Sequence, residues 1–166
     1  MTLAACLLVG GGAATAKPAA PLTPDGWGAV RIGMRMHEVE RALGARLVLD
    51  TLGEGDDCSY GRLPGDPATA SAFMFVKGRL ARIDANLASV RTDRGVAIGD
   101  GEAKARAAYG ARLKAEPHAY EDPPAKYLTW WNPARTRGVR FEIGADRKVR
   151  ALYAGDKAIE YSEGCL

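Results

Sequence analysis

The sequence predicts an α+β protein in which two tandem helix-then-antiparallel-strands repeats form one layered body, with helices packed on antiparallel sheet. Three observations lead to this prediction. A motif occurs twice, each copy contains a short amphipathic stretch, and alternating apolar and polar residues follow each copy. The chain has 166 residues, which is enough for one compact body but little for two independent domains.

The repeated motif occupies residues 30–47 and 96–113 and aligns without a gap. Both copies begin with Val-x-Ile-Gly and end with Gly-Ala-Arg-Leu. This repeat divides the chain into four predicted parts: a signal peptide with a truncated start at 1–16, an extended leader at 17–26, repeat 1 at 27–93, and repeat 2 with its C-terminal tail at 94–166.

Each motif copy is expected to form one helix of about ten residues. In the first copy, Met36, Val39 and Leu43 recur with helical spacing and give one apolar stripe. Gly44 follows this stripe, at a position where a left-handed residue commonly ends a helix. In the second copy, Asp100 is expected to cap the helix N-terminus.

Patterns of period two after each helix predict antiparallel strands. Residues 71–87 are expected to form two strands that turn at Lys77-Gly78, and Leu80 and Ile83 can both face inward only if a bulge intervenes. Residues 138–154 repeat this design. Further strands are predicted at 58–63, at 127–131 and, as an edge strand of the tail, at 158–161.

Residues 2–16 are uncharged and end in Ala14-Thr15-Ala16, which matches the cleavage site of a secretory signal. No Lys or Arg precedes this run, which suits a truncated start. A second interpretation is a lipobox at residues 3–6, in which Cys6 is lipidated and the protein is an outer-membrane lipoprotein. Both interpretations predict a periplasmic or secreted protein, and the run is too short to span a membrane.

Export determines how the other two cysteines are interpreted, because an oxidising compartment favours a disulfide. Cys58 and Cys165 are therefore expected to pair and to tie the C-terminus to the middle of the chain. The alternative is a small Cys-dependent hydrolase, in which Cys58 is a nucleophile and His37 or His118 is its base.

An aromatic segment at 118–133 contains the predicted binding residues. If 127–131 is a strand, Leu128 and Trp130 point to one face and Tyr127 and Trp131 to the other. Outward-facing Tyr and Trp side chains are favoured anchors of protein interfaces. The alternative is that helices or the tail cover both faces. The binding residues predicted from this segment are Tyr120, Tyr127, Trp130 and Trp131.

The sequence gives little support for a metal site, a cofactor, nucleic-acid binding or acid–base catalysis. The segment 37–40, His-Glu-Val-Glu, lacks the second His of a zinc-protease helix, so no metal site and no cofactor are expected. The net charge is +3 but basic residues form no long run, which argues against nucleic-acid binding. The adjacent acids Asp56-Asp57 and Glu121-Asp122 lie in loop-like stretches and are expected to be solvated.

The first motif copy resembles the family of SmpA/OmlA-type small outer-membrane lipoproteins and the tandem-repeat beta-lactamase inhibitor protein. The resemblance implies a binding scaffold that grips another protein through its sheet surface or loops, with no catalytic residues. The predicted function is thus an exported, non-catalytic envelope protein that binds another protein, and the alternative is an inhibitor of a secreted or periplasmic hydrolase. The resemblance rests on Gly33, Met34, Glu38, Val39, Leu43 and Gly44.

Overall fold

The computed structural model describes residues 20–50, 57–65 and 71–165, and this part of the chain is mostly β. It contains eleven strands and two α-helices of eight residues each. Neither of these two helices is long and apolar enough to cross a membrane. The predicted signal at 1–16 and its Cys6 lie outside the described residues.

The predicted α+β class, with helices layered on sheet in two repeats, is wrong. The described strands form one eight-stranded antiparallel sheet and one three-stranded sheet. An eight-residue helix is only about 12 Å long, whereas eight strands span roughly 34 Å. Two such helices cannot form a layer over the sheet, so strand pairing and packing dominate the fold.

The elements are as follows in chain order. The helices are α1 (Met36–Leu43) and α2 (Glu102–Tyr109), and short 3₁₀ helices occupy Gly110–Arg112 and Lys157–Glu160. The strands are β1 (Leu22–Thr23), β2 (Gly26–Trp27), β3 (Val30–Arg31), β4 (Val48–Asp50), β5 (Cys58–Arg62), β6 (Ala72–Val76), β7 (Arg79–Asp84), β8 (Lys114–Pro117), β9 (Lys126–Trp131), β10 (Gly138–Ile143) and β11 (Val149–Gly155).

The small sheet has the order β1-β2-β3 and includes part of the predicted leader. Leu22 is fully buried, and its N–H donates to the carbonyl of Arg91 at 2.8 Å. Residues before Trp27, where the sequence placed the start of the fold, therefore already belong to a sheet. Burial of the Leu22 side chain contributes about 2 kcal/mol towards holding this short segment.

The large sheet has the order β4-β5-β6-β7-β11-β10-β9-β8, and each neighbouring pair is antiparallel. The two predicted hairpins are present as β6–β7 and β10–β11. A register shift in the first hairpin supplies the expected bulge, so Leu80 and Ile83 both lie in the core. A three-residue seam between β7 and β11 joins the two groups of strands.

The helix ends agree only in part with the sequence prediction. Gly44 ends α1 in the left-handed conformation, with φ 69° and ψ 21°, as expected. At α2 the N-cap is Gly101 and not Asp100. The Asp100 carboxylate instead accepts the N–H of Ala97 and the ammonium of Lys104, each at 2.7 Å. These contacts direct it away from the free N–H groups of the helix.

The main core lies on one face of the large sheet, where the two helices, the small sheet and the segment 90–98 together cover it. Val39 of α1 and Ala105 of α2 are fully buried there, and Phe73, Phe75 and Phe141 supply the largest fully buried side chains. Burial of these aromatic groups, together with the aliphatic side chains around them, stabilises this face.

The tail covers part of the opposite face of the large sheet. Residues 157–160 form a 3₁₀ helix and not the predicted edge strand, because the Asp156 carboxylate accepts the N–H of Ala158 at 2.9 Å and starts a helical turn. The predicted disulfide between Cys58 and Cys165 is present, with a Cα–Cα distance of 5.4 Å. It ties the end of the tail to β5.

Replacing both Cys58 and Cys165 by Ser is expected to lower the free energy of unfolding by about 4 to 5 kcal/mol, because the link closes a long loop in the unfolded chain. The sequence separation is 107 residues. Urea unfolding monitored by tryptophan fluorescence measures the change. Dithiothreitol should destabilise the wild type to the same extent and leave the double variant unaffected; equal stability of the oxidised wild type and the variant would contradict the prediction.

Candidate functional site

Of the four predicted binding residues, the structure places one on the surface, one in a half-buried position and two in buried positions. Tyr120 is 63% exposed and Trp131 is half-buried, whereas Tyr127 and Trp130 are only 5% and 7% exposed. The expectation that Tyr127 faces outward is therefore wrong. The alternative considered from the sequence was that helices or the tail cover both faces of this strand. Tyr127 is covered, but by the loop that contains His118 and by Arg140.

Tyr127 is buried because the loop that leads into β9 and a neighbouring arginine pack on it. The His118 ring stacks on the Tyr127 ring with centroids 4.6 Å apart, and the Arg140 guanidinium lies 4.0 Å from the Tyr127 centroid. Arg140 is held in turn by the Glu116 carboxylate and the Thr129 hydroxyl, each at 2.9 Å. Tyr127 thus lies beneath the His118 loop and supports it.

Trp130 lies on the core face of β9, as the strand alternation predicts. Its ring packs edge-on against Tyr109 with centroids 5.9 Å apart. The guanidinium of Arg94 lies 4.7 Å from the Trp130 centroid. Trp130 is therefore a core residue, and the guanidinium of Arg94 lies over its ring.

Two side chains of the tail hold Tyr120 and Trp131 in place. The Tyr120 hydroxyl donates to Glu163 at 2.8 Å, and the Trp131 indole N–H donates to Glu160 at 3.1 Å. Tyr161 lies between these glutamates in the chain and is 38% exposed. We call Tyr120, Trp131 and Tyr161 the aromatic surface.

The electrostatics of this contact favour the protonated phenol. The hydrogen bond to the Glu163 carboxylate raises the pKa of Tyr120, because ionising the phenol would place a second negative charge beside the carboxylate. The phenol thus remains a hydrogen-bond donor at neutral pH.

A buried ion pair fixes the tail that carries these contacts. The Arg82 guanidinium binds both oxygens of Asp84, at 2.6 and 3.1 Å, and its Nη2 donates to the Tyr60 hydroxyl. Its Nη1 donates to the carbonyls of Ala158 and Tyr161, at 3.0 and 2.8 Å. Burial raises the pKa of Asp84, and the contacts with Arg82 oppose that rise. The ion pair therefore links β7 to the tail.

A second polar cluster fixes the loop that carries Tyr120. The Nδ1 atom of His118 accepts the backbone N–H groups of Tyr120 and Glu121, at 3.1 and 3.0 Å. A neutral imidazole has one lone pair and one N–H. Because Nδ1 is the acceptor, Nε2 carries the hydrogen, and it faces Glu142 at 3.5 Å. The ring therefore acts as a fixed cap of the loop.

This cluster also has the composition of a metal site, because ligand atoms of His118, Glu121 and Glu142 lie within 4.8 Å of one another. Metal binding at Nε2 would require the hydrogen to move to Nδ1. There it would face two N–H donors. The same geometry leaves no free imidazole lone pair for a general base. The arrangement fits loop fixation better than metal binding or catalysis.

Sequence reasoning missed both clusters. Arg82, Asp84 and Glu142 lie in strands that were predicted. The other members of the clusters, Tyr60, His118 and the tail carbonyls, come from distant segments, which only the strand order and the path of the tail bring together. The alternation of β7 gave one usable signal, because Arg82 and Asp84 share the face opposite Ile83.

Fold and surface together define a mostly-β protein with one long antiparallel sheet and exposed aromatic side chains held by a disulfide-linked tail. No protein-family model and no curated protein matches the sequence. The structure is similar to the crystal structure of the uncharacterized protein yfeY from Escherichia coli, with a TM-score of 0.51 and 14% sequence identity. The match covers 82% of this chain and 99% of that chain, and at this identity it shows a shared fold alone.

Replacing Asp84 by Ala should lower the free energy of unfolding by about 3 to 5 kcal/mol, because Arg82 would remain buried without its carboxylate. Urea unfolding of the purified oxidised protein measures this change. Arg46→Ala is the control, because the Arg46 side chain, which pairs with Glu40, is 90% exposed. This substitution should change the free energy of unfolding by no more than about 1 kcal/mol. Similar effects of the two substitutions would show that the buried pair has no special role.

Stability should fall at alkaline pH because burial, and then the negative charge of Glu142, raise the pKa of Tyr153. The folded state keeps this proton when the unfolded chain has lost it, so stability is lost as pH rises above the unfolded pKa of about 10. Tyr153→Phe should make the loss less steep between pH 9 and about 11. Urea midpoints at several pH values test this, and an unchanged slope would contradict it.

Proposed function

We propose that this protein is an exported, non-catalytic envelope protein that binds another protein through the aromatic surface. The observation that carries the proposal is that the exposed Tyr120 and the half-buried Trp131 are each hydrogen-bonded to a glutamate of one covalently fixed tail. Exposed Tyr and Trp residues are enriched among the side chains that contribute most to protein interfaces.

The side chains of the aromatic surface are held in fixed positions, and this also favours binding of a partner protein. A side chain that is already held in one rotamer loses less conformational entropy when it binds. Tyr120 is fixed by Glu163 and by the His118-capped loop, and Trp131 is fixed by Glu160. The guanidinium of Arg135 lies 5.8 Å from the Trp131 centroid and adds a cation to the edge of the surface.

The buried residues of the predicted site contribute indirectly. Tyr127 supports the His118 ring, which caps the loop of Tyr120, and Trp130 belongs to the core. The binding residues proposed from the structure are thus Tyr120 and Trp131 of the original set, with Tyr161 added from the tail.

Two features support a non-catalytic role. Cys58 is in a disulfide, which removes the thiol that the hydrolase alternative requires. The Nδ1 lone pair of His118 is occupied by two backbone N–H groups. Neither residue is arranged as a nucleophile or as a base.

Export is supported by the disulfide together with the signal-like N-terminal sequence. Disulfides persist in oxidising compartments and are uncommon in the cytosol. The proposed location is the periplasm or the exterior, and lipidation at Cys6 is the alternative form of attachment.

Affinity capture from an envelope extract of the source organism tests the proposal. The oxidised wild type should retain a partner protein. The double variant Tyr120→Ala/Trp131→Ala should retain less than about one tenth of that amount. Leu49→Ala is the matched control, because Leu49 is 46% exposed on the edge strand β4.

Thermal unfolding of all three proteins verifies that the substitutions leave the fold intact. Equal capture by the wild type and by a folded double variant would overturn the proposed surface. Loss of capture with Leu49→Ala alone would assign binding to the edge of the sheet instead.

A further inference from the structure

The contacts of the His118 ring on its loop side require a neutral imidazole. The side chain is 5% exposed, and its Nδ1 atom accepts the backbone N–H groups of Tyr120 and Glu121 at 3.1 and 3.0 Å. A ring nitrogen accepts a hydrogen bond only through a free lone pair, and protonation occupies that lone pair. The capped geometry of the loop is therefore specific for the neutral ring.

The contacts at the other nitrogen favour the protonated imidazole. Nε2 of His118 is buried and has no hydrogen-bond partner in the described part of the chain, although the Glu142 carboxylate lies 3.5 Å away. A carboxylate oxygen of Glu121 lies within 4.8 Å of the same group of atoms. Both carboxylates attract a positive ring. Protonation thus strengthens these two contacts and breaks the two hydrogen bonds of the cap.

The other charged or titratable side chains around the ring do not change charge in mild acid. They are Tyr120, Tyr127, Arg140 and Tyr153. Burial raises the pKa of Tyr127 and of Tyr153, and the bond to Glu163 raises the pKa of Tyr120, so the three phenols stay protonated. Arg140 is a permanent cation that is paired with Glu116 of β8 at 2.9 Å. The imidazole is therefore the group of this cluster whose type titrates between pH 8 and 5.5.

We propose that His118 is a pH-sensitive switch of the loop that carries Tyr120. A free imidazole is half-protonated near pH 6.5. Because the capped loop excludes the second ring proton, the cap is favoured above this pH and is lost as the pH falls below it. The ratio of open to capped loop should rise about tenfold between pH 8 and pH 5.5.

The consequence for the aromatic surface rests on the proposed function. Opening of the loop removes the backbone support of Tyr120, and the exposed bond of its hydroxyl to Glu163 is a single contact that does not replace the two bonds of the cap. Trp131 lies on β9 and Tyr161 in the tail, so neither depends on the His118 ring. Mild acid should therefore weaken partner binding by removing one of the three aromatic groups.

NMR spectra of the oxidised protein between pH 8 and pH 5.5 test the switch. The sequence contains two histidines, so His37→Gln leaves His118 as the only source of imidazole signals. At pH 8 the Nδ1 atom should be unprotonated. As the pH falls, the ring should titrate, and the hydrogen-exchange protection factors of the Tyr120 and Glu121 amides should fall about tenfold with the same midpoint. Amides of β9 and β10 should keep their protection, which verifies that the fold is intact.

His118→Asn is the matched variant, because an asparagine side-chain oxygen can accept the same two N–H groups and does not titrate. Protection of the two amides in this variant should be equal at both pH values. The switch is overturned if the wild-type ring does not titrate above pH 5.5, or if it titrates while both amides keep their protection. The same loss of protection in folded His118→Asn would also overturn it.

Partner capture at pH 7.5 and 5.5 tests the consequence for binding. The wild type should capture several-fold less partner at pH 5.5, by up to about tenfold, and His118→Asn should capture equal amounts at both pH values. Equal capture by the wild type at both pH values would show that the loop does not control the surface. A failure to capture any partner at pH 7.5 would overturn the proposed function and not the switch, which the amide protection factors decide.

Discussion

The buried ion pair between Arg82 and Asp84 is the contact on which the arrangement of the tail depends. Burying an ion pair is costly, and it is tolerated only when the remaining donors and acceptors are also satisfied. Here one guanidinium meets a carboxylate, a phenol and two backbone carbonyls of the tail. The tail therefore completes the ion pair, and the ion pair in turn keeps the tail on the sheet.

A row of contacts on the outer face of the sheet connects this ion pair to the loop before β9. The Arg82 guanidinium also lies 4.8 Å from the Tyr153 ring, whose hydroxyl donates to Glu142, and Glu142 faces His118. This row of polar and aromatic side chains crosses several strands and ends beneath the loop of Tyr120. Because tail and loop are each fixed from below, the aromatic residues between them are held in one geometry.

Local patterns predicted the local parts of this molecule. The hairpins β6–β7 and β10–β11, the glycine end of α1 and the pairing of Cys58 with Cys165 all depend on neighbouring residues or on cysteine number. The fold class was wrong because helical periodicity does not determine how much sheet a short helix can cover. The burial of Tyr127 could not be predicted either, since strand alternation gives two faces but does not tell which segments cover them.

The seam between β7 and β11 has a consequence for how the chain reaches this structure. Each flanking hairpin closes over a few residues, whereas the seam joins segments that are far apart in sequence and pairs only three positions. Closing such a distant contact is slow. Until β11 is synthesised, β7 is an open sheet edge that carries apolar residues such as Leu80 and Ile83. Unprotected edges of this kind pair readily with other chains, so the newly made N-terminal half is the stage most exposed to aggregation.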